Sequence, residues 1–119
     1  CDYRAISGHR TWDEQAALYA QGRTKPGPVV TNAWGGQSNH NFGIALDFGV
    51  FRGGRYLDND DPRRAEEVHR AVGSLATKHG IEWGGNWRRF KDLPHFEIKT
   101  GLTMAQKRAR WLEHGTVLA

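Results

Sequence analysis

His40 and Asp47 stand seven positions apart in GGQSNHNFGIALDFGV, residues 35–50, and His95 and Glu97 stand two apart in PHFEIK, residues 94–99. Polar groups in such apolar runs either satisfy one another or hold something that is not protein, and both readings start from the same residues. Two neutral imidazoles and one carboxylate, with a fourth position left to water, form the donor set of a catalytic rather than a structural zinc site. Zinc suits nitrogen and oxygen ligands and makes water a nucleophile near neutral pH. On that reading His40, Asp47 and His95 are the candidate ligands. Asp92, three residues before His95 with Pro94 stiffening the turn, is the candidate general acid and base. Glu97 is then expected behind a ligand rather than on the metal, because a fourth protein ligand would close the water position. As a buried core pair, the same histidine and aspartate would need no metal at all. The spacing is also not that of the short HExxH zinc helix.

These residues need elements to carry them. Ile44–Phe51 reads as a strand in which Ala45, Asp47 and Gly49 share one face and Leu46 and Phe48 the other. In the later strand His95 and Glu97 share a face, with Phe96 and Ile98 opposite. His40 approaches from a loop over residues 23–41, and loops of that length in a compact domain are usually functional. Residues 2–7 read as a further strand. A helix follows over TWDEQAALYAQG, with Thr11 and Glu14 as a capping box and Gly22 as its stop. Gly53 and Gly54 predict a hairpin turn with a short return over Arg55–Leu57. Asp61 caps a helix with Pro62 at its first position, stopping at Gly80, with Ala65, Val68, Val72, Leu75 and Ala76 on the inward face. Thr103 and Gln106 open a last helix, ending at Gly115, with Met104, Ala105, Arg108, Trp111 and Leu112 near its packing face. His69, His79 and His114 are expected to be solvated or dipole-facing, and Trp12 and Tyr19 to be core. In EWGGNW, Trp83 and Trp87 either wall a substrate groove or are buried. The sum is α+β: a small, mainly antiparallel sheet with helices packed on one side and the candidate site in a cleft on the sheet.

At 119 residues, the chain is expected to form a single domain over 1–119. Its 25% charged fraction fits a folded globular chain, and 15 glycines point to turns that matter. No apolar run approaches the roughly 20 residues of a membrane span. Cys1 is the only cysteine, which excludes an internal disulfide and a thiolate zinc site. A formal net charge of +4 favours an anionic partner, and nucleic acid, anionic wall and anionic lipid all qualify. The basic residues are scattered, without zinc-finger spacing or an RNP-like aromatic motif, so charge alone does not choose among these partners.

Four blocks in order, SGHRTWDEQAALYAQGRTKPG, VTNAWGGQSNHNFGIALDFGV, WGGNW and FKDLPHFE, resemble the peptidoglycan-cleaving zinc peptidases of the D-alanyl-D-alanine carboxypeptidase (VanY-type) superfamily. Within it they are most similar to the L-alanyl-D-glutamate endopeptidase branch of bacterial cell-wall hydrolases and phage endolysins. The resemblance spans residues 7–97. It implies the hedgehog/DD-peptidase-like fold, one zinc per chain on His40, Asp47 and His95, and Asp92 as catalytic acid and base. It also implies that Arg10 of the SGxR block binds a substrate carboxylate, with Gln15 and Ser38 supporting the cleft. His9 stands where relatives often have an aromatic residue, and is expected to cover the sheet edge. Many relatives carry a helix before the first strand, which this stretch of sequence does not include. The implied partner is a peptidoglycan stem peptide and not a nucleic acid, met by a monomer in the periplasm or outside the cell, with release at lysis one route. Removal of a terminal D-alanine by the same site and a non-catalytic zinc-containing wall-binding module are the alternatives.

Overall fold

Each long helix begins where a side chain satisfies its free amides. Thr11 opens α1 (Trp12–Ala20), its hydroxyl accepting from the Glu14 amide while the Glu14 carboxylate accepts from the Thr11 amide. Thr103 and Gln106 repeat that box at α4 (Met104–His114), which ends on Gly115 at φ 70°. Asp61 caps α3 (Pro62–Lys78), accepting from the Arg64 amide. The computed structural model describes residues 1–118.

Two compact units share the chain: Cys1–Gly8 with Ala45–Lys99, and His9–Ile44 with the residues from Thr100 onward. The first holds the sheet. Strands β1 (Asp2–Ser7), β2 (Ala45–Arg52), β4 (Ile81–Trp83) and β5 (His95–Ile98) lie in the order β1-β2-β5-β4, and β3 (Arg55–Tyr56) pairs with the end of β2. Every pairing among these strands is antiparallel, as expected. Gly53 and Gly54, at φ 58° and 78°, make the hairpin turn between β2 and β3 with the positive dihedrals that side chains resist.

Tyr3, Phe48 and Phe96 stack and cross on one side of this sheet, where Val50, Leu57 and Ala65 form the buried cluster. The face of α3 that reaches inward differs from the apolar pattern. Ala65, His69 and Gly73 are its buried residues, whereas Leu75 is 58% exposed. Gly73 is required because a Cβ there would overlap the Trp83 indole. His69, expected in solvent, is buried because both ring nitrogens find partners: the Tyr3 hydroxyl lies 2.7 Å from Nδ1 and the Asp58 carboxylate 2.5 Å from Nε2. Asp58 sits in a short helical turn, α2 (Leu57–Asp60), where the sequence pattern places the end of a hairpin return; its other oxygen accepts from the Val50 amide.

The second unit has its own core of Phe42, Ile44 and Val117, covered by Trp12, Leu102, Met104 and Trp111. On α4, Leu112 is 74% exposed and Lys107 is the buried residue, its ammonium donating to Asn39 at 2.7 Å. The long stem of lysine covers apolar surface while its head finds an oxygen, which hydrophobic spacing does not reveal.

Candidate metal centre

Antiparallel register sets Asp47 of β2 directly opposite His95 of β5, and Ala45 opposite Glu97. Because side chains alternate across a strand, Asp47, His95 and Glu97 share the face turned away from Phe48 and Phe96. The result is a chain of three groups. His95 Nδ1 lies 3.0 Å from Asp47 Oδ1, and His95 Nε2 lies 2.7 Å from Glu97 Oε1. Burial alone would lower the pKa of this imidazole; hydrogen bonds and charge from Asp47 and then Glu97 outweigh it and raise the pKa to about 9. Glu97 in turn faces Glu82 of β4, whose carboxyl is pushed up by burial and by its hydrogen bond to Glu97. The Trp87 ring stands 5.1 Å from the His95 ring, while Trp83 is only 4% exposed, packed on Gly73 with its N–H donated to the Leu93 carbonyl. Trp83 is therefore core: the sheet alternation that turns Glu82 toward Glu97 turns Trp83 to the α3 side.

Asp92 is positioned by backbone. Its amide donates to the Gly84 carbonyl at 3.1 Å, and its carbonyl accepts from the His95 amide at 3.1 Å, so Asp92 and His95 close one turn. Gly84 permits this because a Cβ there would strike the Asp92 carbonyl.

His40 lies in a single 3-10 turn, Asn39–Phe42, inside the long loop. Ser38 begins the turn, its hydroxyl accepting from the amides of His40 and Asn41, and Gly43 ends it at φ 68°. Ser38 is thus a cap, half-buried, that orients His40. Asn41, fully buried and not singled out by the sequence reading, ties the turn to the rest of its unit. Its carbonyl oxygen accepts from the Gly36 and Ser38 amides, and its amide donates to the Arg10 carbonyl. The Arg10 amide donates to the His40 carbonyl at 2.9 Å, so the two backbones are stitched together. Gln15, also fully buried, accepts from Arg10 Nη1 at 2.8 Å and donates to the Ala33 carbonyl at 2.8 Å. His9 rests on the Trp111 ring, 5.6 Å between centroids.

His40, Asp47 and His95 each offer one ligand atom, and these atoms lie within 4.8 Å of one another. Ligands held about 2.0–2.1 Å from a tetrahedral zinc stand roughly 3.4 Å apart, so the set fits such an ion with small side-chain adjustments. The protonation pattern fits too. With Nε2–H donated to Glu97, the Nδ1 lone pair faces a carboxylate oxygen at 3.0 Å, and only a cation between them, a proton or a metal, makes that arrangement favourable.

The family model described as D-alanyl-D-alanine carboxypeptidase matches residues 31–98, more than half of the chain and the part that contains His40, Asp47, Asp92 and His95. The peptidoglycan L-alanyl-D-glutamate endopeptidase CwlK of Bacillus subtilis is 42% identical over 101 residues, with 82% of this chain and 60% of CwlK covered, so the chain spans less than two thirds of that relative. Among solved structures, the L-Ala D-Glu endopeptidase ChiX of Serratia marcescens superposes with a TM-score of 0.53 at 25% identity, over 82% of this chain and 66% of ChiX. The vancomycin-resistance D,D-pentapeptidase VanY, solved as a variant with Zn(II), shares the fold with a TM-score of 0.55 at 15% identity, over 98% of this chain and 71% of VanY. The ordered motifs, the antiparallel frame beneath them and the extent of the family match lead to one assignment: the chain belongs to the D-alanyl-D-alanine carboxypeptidase family of peptidases.

Proposed function

We propose that the protein is a zinc-dependent peptidoglycan hydrolase that cuts the L-alanyl-D-glutamate bond of stem peptides, acting on the wall in the periplasm or outside the cell. The observation that carries the reading is the convergence of His40, Asp47 and His95 with Glu97 behind His95. The 42% identity to CwlK supports the choice of bond. When bound, zinc supplies Lewis acidity, making water a nucleophile near neutral pH and polarising a carbonyl. The chain's own residues do the rest. Glu97 holds the His95 proton on Nε2 and so keeps Nδ1 available as a ligand. Asp92, on the turn that closes onto His95, takes the proton of the attacking water and passes it to the leaving amine.

Arg10 reads the substrate. In a stem peptide, D-glutamate continues through its γ-carboxyl, so its α-carboxylate stays free a few bonds from the L-alanyl amide. A guanidinium aligned by Gln15 can grip that carboxylate through two parallel hydrogen bonds and fix the scissile carbonyl. Trp87, whose ring stands 5.1 Å from that of His95, is the aromatic residue this reading assigns to substrate contact. The second reading, release of terminal D-alanine with Arg10 on the C-terminal carboxylate, is favoured by the description of the matching family. Digesting muropeptides with free or amidated glutamate α-carboxyl groups and identifying new termini by mass spectrometry separates the two. The endopeptidase reading expects a new D-glutamate amino terminus, formed faster on the free acid. Release of D-alanine without that terminus overturns it, and no cleavage of either substrate by the zinc-loaded chain returns the domain to a wall-binding module.

A further inference from the structure

The β2–β3 hairpin carries an arrangement of charge that the peptidase site does not use. Arg52 and Arg55 are direct cross-strand partners, placed face to face by the two-glycine turn between them. Like charges directly opposite in an antiparallel pair destabilise it. Arg64 lies in the first turn of α3, which holds no acidic residue and where the helix dipole disfavours a cation. These three arginines line one cavity of about 430 Å³ together with Leu57, Asp60 and Asp61.

Both carboxylates are already engaged. Asp60 accepts from Arg55 Nε at 3.3 Å, leaving the two terminal nitrogens of Arg55 outside that pair, and Asp61 caps α3. Arg64 pairs with Glu67 through Nη1 alone, and Arg52 has no ion-pair partner among the described residues. Three exposed arginines around one cavity, each with guanidinium nitrogens outside the ion pairs described, can together receive an anion.

We propose that this cavity is a second wall-binding subsite, in which Arg52, Arg55 and Arg64 hold the carboxylates of a neighbouring stem peptide while another is cut at the metal. Arg52 follows Asp47 by five residues of extended β2, about 17 Å, so the subsite is separate from the cleavage point. A polymer network that meets both points binds at the second with the high effective concentration of a tethered ligand. Forked guanidiniums match carboxylates in pairs of parallel hydrogen bonds. The inference rests on the peptidoglycan reading above for the identity of the anion.

The test is co-sedimentation, on ice, with insoluble sacculi stripped of phosphate polymers, using the zinc-loaded chain. Arg52→Ala/Arg55→Ala is expected to bind about 3- to 10-fold more weakly than wild type, whereas Arg70→Ala/Lys78→Ala, with the same change in net charge elsewhere on the unit, binds nearly as well. Conversion of the wall carboxyls to amides should erase the difference between wild type and the hairpin variant. Cleavage of a soluble muropeptide should be unchanged in that variant, and the wild-type rate on that substrate tests the peptidase reading by itself. Equal binding of wild type and hairpin variant to stripped sacculi overturns the subsite. A difference seen only on walls that retain phosphate polymers overturns the carboxylate as its ligand.

Discussion

Arg10 Nη1 donates to Gln15 Oε1 at 2.8 Å, and Gln15 has no exposed surface. The Gln15 amide has no freedom to turn, since its nitrogen is committed to the Ala33 carbonyl and lies 3.4 Å from the Thr31 hydroxyl. Its oxygen therefore faces Arg10 and holds the guanidinium in one orientation. Gln15→Leu is expected to keep full zinc content and to raise KM for a stem peptide about 10-fold with a smaller change in kcat, because a hydrogen bond to a charged group is lost. It should also lower stability by about 1–3 kcal/mol through the unpaired Ala33 carbonyl. Unchanged KM together with unchanged melting would remove Gln15 from substrate binding.

Asp47 and His95 are proposed ligands, so their removal tests the metal site directly. Asp47→Ala and His95→Ala are expected to lose the single equivalent of zinc measured by elemental analysis, to lose turnover, and to melt below wild type, because metal binding is also folding free energy. Glu97→Gln should keep the ion but hold it about 10- to 100-fold more weakly, as for partners that orient a ligand. Full zinc retention in Asp47→Ala would break the ligand set.

Asp92 should behave differently from the ligands. Asp92→Asn preserves the backbone turn through Gly84 and is expected to retain zinc and the wild-type melting point while turnover falls about 10²- to 10⁴-fold. A variant with near wild-type turnover would move the proton-transfer role elsewhere, with Glu97 the next carboxylate along the sheet.

The metal-free protein should show a distinctive dependence on pH. The His95 pKa is raised to about 9, against burial, by Asp47 and Glu97, from an unfolded value of about 6.5. A folded-state pKa above the unfolded one means that this contribution to stability is complete below about 6.5 and is lost as pH rises through about 9. EDTA-treated protein should therefore melt lower at about pH 9.5 than at about pH 6.5, and His95→Gln should flatten that slope. Thermal melts across that range, with and without zinc, provide the check. The slope should shrink in the zinc-loaded form, where Nδ1 holds metal instead of a proton, and an equal slope in His95→Gln would assign the titration to another group.

Much of this protein is legible in its sequence. Thr11 with Glu14, Thr103 with Gln106 and Asp61 with Pro62 mark helix starts through contacts three residues long, and Gly53–Gly54 marks the hairpin through its own dihedrals. Such signals are local and survive in a one-dimensional string. The alternation that turns Asp47 and His95 away from Phe48 and Phe96 is equally local, which is why the candidate ligands could be named from the sequence. Tertiary structure decided what depends on residues far apart in the chain. His69 is buried only because Tyr3 and Asp58, 66 and 11 positions away, satisfy its two nitrogens. Trp83 is core only because Gly73 on α3 clears room for its indole, and Lys107 is buried only because Asn39, 68 positions away, accepts from it. The direct opposition of Asp47 and His95, and of Arg52 and Arg55, is a matter of register, and register is set between strands rather than within them.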